Sequence, residues 1–303
     1  MERSFLEKSR IKKFILIVVL SVIVAVGSNR VTYAESDSGK EVSSFLQMEE
    51  RVVEIIKSSN LAGYSADVRT WRKNLDFLIN NYDVIVNEND SDKEAIDRYV
   101  AEYSHVDELN EMLKTAPEKS TKSGVINLMA AEQAVYYAGL YYNSPNPAYP
   151  YWTSGGDCAN FISQCLYYGG KAMIGTPSTQ NVSNNTANWF SYGTSCSTIN
   201  VSESWRSATG FCVHWMSRAN GYSQFTPAQM AKYGAARQYA EPGDAVSLLK
   251  YQNGSLVAYH TMIVVGKTTD GDVLLAAHTS PTNNARLSVK AGQCAGCIIY
   301  RVF

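Results

Sequence analysis

Gly155-Gly156-Asp157-Cys158-Ala159-Asn160-Phe161-Ile162-Ser163-Gln164-Cys165 is the stretch on which the reading of this chain turns. Two glycines permit a tight backbone turn and Asp157 is a good N-cap, so the stretch predicts a helix opening at Cys158. Apolar or sulfur-bearing side chains at 158, 161, 162, 165 and 166 then share one face, and Gly169-Gly170 closes the helix. A cysteine in the first turn of a helix meets the positive end of the macrodipole and unpaired N–H groups. Both favour thiolate over thiol and make the sulfur a nucleophile near neutral pH. A buried, inert cysteine is the commoner occupant of such a face, and Cys165 is read that way.

Upstream, residues 125–142 carry Ile126, Leu128, Met129, Ala130, Ala134 and Tyr137 at helical spacing. Asn143 to Pro147 stops that helix, and the aromatic loop Tyr149-Pro150-Tyr151-Trp152 leads into the cysteine turn. Downstream, residues 171–203 are rich in Ser, Thr, Asn and Gly and read as a long surface excursion carrying Trp189, Phe190 and Tyr192. Ser204 is expected to cap a helix with Trp205, Ala208, Phe211, Cys212, Trp215 and Met216 inward. His214 falls off that stripe, and it and His105 are expected to be surface or satisfied residues.

From Pro242-Gly243-Asp244 the period changes to that of strands. Expected strands are 245–250, 257–267, 273–278, 286–289 and 297–302, with turns at Asn253-Gly254 and Asp270-Gly271. Helices first and an antiparallel meander last is an α+β pattern, with the cysteine helix packed on the sheet. His260 and His278 lie on adjacent strands and are expected to be cross-strand neighbours facing one way. His260 would then take the Cys158 proton, and a bond from its second nitrogen to His278 would fix the tautomer.

The 303 residues carry 27 basic and 28 acidic side chains, with 45% hydrophobic and 18% charged residues. That is an ordinary globular composition with no basic footprint for nucleic acid. Residues 1–34 read as a secretory signal: Arg3, Lys8, Arg10, Lys12 and Lys13, then apolar Phe14 to Val26, then Thr32-Tyr33-Ala34. The apolar run is short against the roughly 20 residues of a membrane span, and an uncleaved N-terminal anchor is the alternative. Its removal takes six basic and two acidic residues and leaves 21 against 26, a formal balance of −5. The long basic start points to a Gram-positive bacterium and an extracellular, envelope-associated location. Membrane contact is expected only through this segment.

Residues 35–122 are expected to form a helical N-terminal region and linker, with Glu49 and Glu50 exposed on its first helix and the linker at 117–124. A spacer or packing role is weighted above that of a cover over the cleft. Residues 123–303 form the expected catalytic domain. Among the six cysteines, Cys196 with Cys212, or Cys294 with Cys297, could form a disulfide.

The cysteine stretch and Gly169-Gly170 resemble the signature of the putative amidase domain family of exported bacterial proteins. Asn146-Pro147, Tyr149, Trp189, Ser204-Trp205, Pro242-Gly243-Asp244, His260 and His278-Thr279 follow that family's order. The likeness runs from about Val125 to Val302 and leaves the N-terminal helices unmatched. More distantly the layout resembles NlpC-type cell-wall peptidases and CHAP amidases, which share a papain-like fold. The resemblance implies a papain-like core with Cys158 as nucleophile, His260 as base and His278 as orienting residue. Asn283 is a lesser rival for the last role. Tyr149 or Tyr151 would assist the oxyanion, and Trp189 could line the cleft. It further implies amide or peptide hydrolysis through a thioester, with peptidoglycan or a peptide as substrate and no cofactor or metal. Two other readings stay open: an envelope-binding module without turnover, and a zinc site built from one Cys and two His.

Overall fold

The structure, a computed structural model, describes residues 37–59, 61, 64–115, 127–153, 156–177, 185–196, 199–279 and 281–303. The expected signal, the linker at 117–124 and Gly155 lie outside the described residues.

The N-terminal region is helical: α1 (Asp37–Ser58), α2 (Trp71–Asn80), α3 (Tyr82–Glu88), α4 (Lys93–Tyr103) and α5 (Val106–Thr115). On α1, Phe45, Met48, Val52 and Ile56 recur at helical spacing and are all buried. Glu49, on the same stripe, is buried rather than exposed. Its carboxylate is satisfied by Tyr103 Oη, by Gln252 Nε2 at 2.7 Å and by Lys250 Nζ at 3.4 Å. Three such partners satisfy the buried carboxyl, although burial still outweighs the Lys250 charge and raises its pKa above the ordinary value.

Next come α6 (Leu128–Tyr141), the cysteine helix α7 (Cys158–Tyr168), the single turn α8 (Glu203–Arg206) and α9 (Ala208–Arg218). Ser207, not Ser204, caps α9, its hydroxyl accepting from the Gly210 N–H at 3.0 Å. Strand β1 (Gly221–Phe225) and the short helices α10 (Pro227–Met230) and α11 (Ala235–Tyr239) precede the meander. It runs β2 (Ala245–Gln252), β3 (Ser255–Lys267), β4 (Val273–Ala277), β5 (Thr282–Arg286), α12 (Leu287–Lys290) and β6 (Gly296–Arg301). The expected strand at 286–289 is thus mostly helical turn.

All pairings are antiparallel, in the order β1-β6-β2-β3-β4-β5. Asn253 (φ 48°) and Gly254 (φ 82°) form the two-residue β2–β3 turn, both in the left-handed region that such hairpins require.

Helices cover the sheet on both faces. Val246, Leu248, Met262, Val264, Cys297 and Ile299 join one apolar cluster with α1, α2 and α4. Ala245, Leu249, Ile263, Ala276, Ile298 and Tyr300 join a second with α6, α7 and α9. Alternate residues of each strand feed opposite cores, so β6 is buried along its whole length, apolar from Cys297 to Tyr300 and ending in Arg301, which pairs with Asp244. The mixed helical and antiparallel architecture is α+β. No helix among the described residues is long and apolar enough to cross a membrane.

Candidate active site

Helix α7 is buried from Cys158 to Leu166, including the polar residues Asn160, Ser163 and Gln164. Each of these finds partners, as burial demands. Asn160 donates to the Pro150 carbonyl and to Asp157 Oδ1, both at 2.8 Å, and accepts from Trp205 Nε1 at 2.9 Å. Ser163 donates to the Trp205 carbonyl and accepts from Trp189 Nε1, both at 3.0 Å. Gln164 accepts from Tyr137 Oη at 2.7 Å, which accepts in turn from Asn146 Nδ2. Four separate segments are thereby pinned to one helix. Gly156 enters it at φ +89°, a conformation that favours glycine, with the Arg98 side chain packed against its Cα.

Asp157 does not cap this helix. Its carboxylate instead faces inward, accepting from the Trp152 N–H at 3.2 Å and from Asn160, and meeting His278 Nδ1 at 2.6 Å. A buried tertiary partner outcompetes the local N–H groups that a cap would use.

Cys158 and His260 are brought together: both are buried, at 2% and 1% exposure, and the imidazole is hydrogen-bonded to the thiol. Burial alone would push the Cys158 thiol up. The His260 charge and hydrogen bond, helped by the Thr261 backbone N–H, outweigh burial and hold it below the ordinary thiol value, against an opposing push from Glu102. The other five cysteines are shifted the opposite way by burial, Cys212 to about 12. All six are free thiols, so neither expected disulfide is present.

Strand β3 carries a bulge just before His260: Leu248 pairs with His260 and Leu249 with Ala258, leaving Tyr259 as the extra residue. A bulge re-aims the side chain beside it.

His278 does not orient His260. Its Nδ1 is on Asp157 and its Nε2 donates to the Tyr141 carbonyl, so neither ring nitrogen remains for another imidazole. Register explains this. Ile263 pairs with Ala276 and β4 ends at Ala277, so counting on puts His278 level with Thr261 and one residue out of phase with His260. The His278 ring stacks on Phe161 at 4.2 Å, beneath the cysteine turn.

Of the expected cleft residues, Trp189 is core: fully buried, bonded to Ser163 and packed on Trp205 and Trp215. Tyr149 is half-buried against Trp205, its hydroxyl pushed up to about 12 by burial. Tyr151 is 44% exposed, edge-on to His278 at 6.1 Å. Asn283 is exposed on the edge strand β5, which removes it as a buried orienting group. His105 is buried and satisfied by Glu203 and Glu108, whereas His214 is buried with Nδ1 on the Thr186 carbonyl and Nε2 without a hydrogen-bond partner among the described residues. Among the described residues no three His, Cys, Asp or Glu side chains gather in a metal-binding group.

Sequence reasoning missed two buried charged residues beside Cys158: Arg98 and Glu102 of α4. The Glu102 carboxylate accepts from the Ala208 and Thr209 N–H groups, both at 3.1 Å, and from Ser207 Oγ at 3.2 Å. It therefore sits on the N-terminus of α9 as a capping anion. Nothing in the sequence near residue 100 signals that contact.

Residues 129–300 match the family model described as "Putative amidase domain". A 44-residue stretch is 50% identical to an uncharacterized protein, YhbB, of Bacillus subtilis (strain 168), and covers 14% of each chain. No solved structure matches the chain.

Proposed function

The chain belongs to the putative amidase domain family, and from that premise we propose that it hydrolyses amide bonds by cysteine catalysis, with Cys158 as nucleophile and His260 as base. One observation carries the reading: Cys158 in the first turn of α7 and His260 of the distant strand β3 are buried together, with the imidazole hydrogen-bonded to the thiol, an arrangement that favours the thiolate. The pair rests as thiolate and imidazolium or passes one proton to reach that state. The thiolate attacks the amide carbon, and the oxygen takes up negative charge near the N-terminal N–H groups of α7. The His260 imidazolium returns its proton to the departing amine, leaving an acyl-thioester on Cys158. Neutral His260 then takes a proton from water, whose oxygen attacks the thioester; the acid leaves and the thiol is restored.

His278 takes a different part from the one its spacing suggested. With Asp157 it ties the start of α7 to the end of β4 and so positions the nucleophile. Within this reading the core is papain-like and related to NlpC-type and CHAP enzymes, with the amidase unit at 123–303 and a secretory signal at 1–34. The substrate is a peptide amide of the cell envelope, in peptidoglycan. The test is to incubate wild-type and Cys158→Ala protein with peptidoglycan fragments and identify products by mass spectrometry. New amine and carboxyl termini from the wild type alone support the proposal; equal cleavage by both ends it. A Cys158 inert to iodoacetamide, with no cleavage, would mark an envelope-binding module instead.

A further inference from the structure

Two cavities meet at Arg98. A groove of about 420 Å³ opens between α1 and α4, with Arg51, Asp92, Glu94, Arg98 and Thr153 on its walls. On the other side of Arg98 lies a pocket of about 10 Å³, room for one water-sized group, bounded by Arg98, Glu102, Trp152, Gly156 and Arg206. Gly156 is two residues from Cys158, and Cys158 is among the charged groups that act on Arg98.

Both arginines of this pocket are more than nine-tenths buried, Arg98 at 8% and Arg206 at 7% exposure. The Nε of each is buried without a hydrogen-bond acceptor among the described residues. Arg98 spends Nη1 on the carbonyl and hydroxyl of Ser44. Glu102 is the anion within the pocket, but its oxygens already receive the α9 N–H groups and Ser207. Glu94 and Glu49 attract Arg98 more weakly, and Glu49 is engaged by Lys250. Burial costs the Arg98 guanidinium more than these carboxylates return, so its pKa falls below the ordinary value. Buried donors left open beside a nucleophile call for a ligand that uses them, and the planar guanidinium matches a carboxylate.

We propose that Arg98 and Arg206 form an anion subsite beside Cys158 that holds a carboxylate of the substrate, so that the preferred substrate is an amide bearing a free carboxylate close to the scissile bond. The proposal rests on Cys158 being the nucleophile. With Arg98 in its present position the pocket holds only a water-sized group, so within the proposal the carboxylate enters from the groove as the Arg98 side chain swings and joins the two cavities. The N-terminal region, which lies outside the family match, therefore contributes to substrate recognition through Arg98.

The charge of an alkylating reagent tests this without a known substrate. Rates of Cys158 alkylation by iodoacetate and by iodoacetamide are measured on the full chain by peptide mass spectrometry, and their ratio is compared with that for N-acetylcysteine. Iodoacetate should be favoured by about tenfold to a hundredfold over the reference ratio. Because the His260 imidazolium also attracts an anion, the variants assign the effect. Arg98→Gln and Arg206→Gln should each cut the ratio several-fold, whereas Arg98→Lys and Arg206→Lys should largely keep it. A wild-type measurement guards against misfolded variants: acetate should slow iodoacetamide alkylation of Cys158, and acetamide at the same concentration should not. A ratio unchanged in both glutamine variants, or equal protection by acetate and acetamide, overturns the subsite while leaving Cys158 reactive. Silence of Cys158 to both reagents overturns the nucleophile assignment and the subsite with it.

Discussion

Oδ2 of Asp157 lies 2.6 Å from Nδ1 of His278, 121 residues further along the chain, and both side chains are buried. One residue before the candidate nucleophile, this pair clamps the start of α7 to the end of β4. Removing one partner strands the other in a poorly polar site. Asp157→Asn should therefore lower unfolding stability by about 3–5 kcal/mol, read from urea midpoints at an unchanged slope. A change below about 1 kcal/mol would mean that the pair does not hold the turn.

The Cys158–His260 contact predicts a shape for the alkylation rate against pH. In the wild type the inflection should fall below the ordinary thiol value of about 8.5. His260→Ala removes both the charge and the hydrogen bond, leaves burial to dominate, and should move the inflection above that value. Identical profiles for the two proteins would sever the thiol from the imidazole.

His105 predicts a stability change in alkaline solution. Burial lowers its pKa, but Glu108 at 3.3 Å and Glu203 at 2.8 Å outweigh burial and raise it to about 9. The folded value lies above the ordinary one of about 6.5, so protonation favours the folded state. This contribution, about 3 kcal/mol at most, is whole below about pH 6.5 and fades as pH rises through about 9. His105→Gln should flatten stability across that window in thermal or denaturant unfolding.

Trp189 separates a core role from a cleft role. Its indole is fully buried and donates to Ser163. Trp189→Phe should cost about 1–3 kcal/mol through the lost donor and volume, with KM for an amide substrate unchanged. A raised KM with unchanged stability would return Trp189 to the cleft.

Local chemistry made α7, the β2–β3 turn and the meander readable, since glycines, caps and period-two runs act within a few residues. Contacts across the fold leave no such trace. Asp157 reads locally as a cap and is claimed instead by a histidine more than a hundred residues away. His260 and His278 read as one-faced neighbours until the register and the bulge at Tyr259 are known. Residues 286–289 alternate like a strand, yet Leu287 to Lys290 closes into a helical turn. Strand β1, Gly-Tyr-Ser-Gln-Phe, is too short and too polar to stand out. Trp189 sits in a Ser- and Asn-rich segment, and composition placed it on the surface where packing puts it inside.

Because β2, β3 and β6 send alternate side chains into two different cores, the segment that matches the family is unfinished as a folding unit. Expressed from residue 129 onward, it would present Val246, Met262, Val264 and Ile299 to water, an uncovered apolar sheet that invites aggregation. Any shortened version needs helices α1 to α5 supplied, in the same chain or as a separate fragment, before loss of activity on truncation says anything about chemistry.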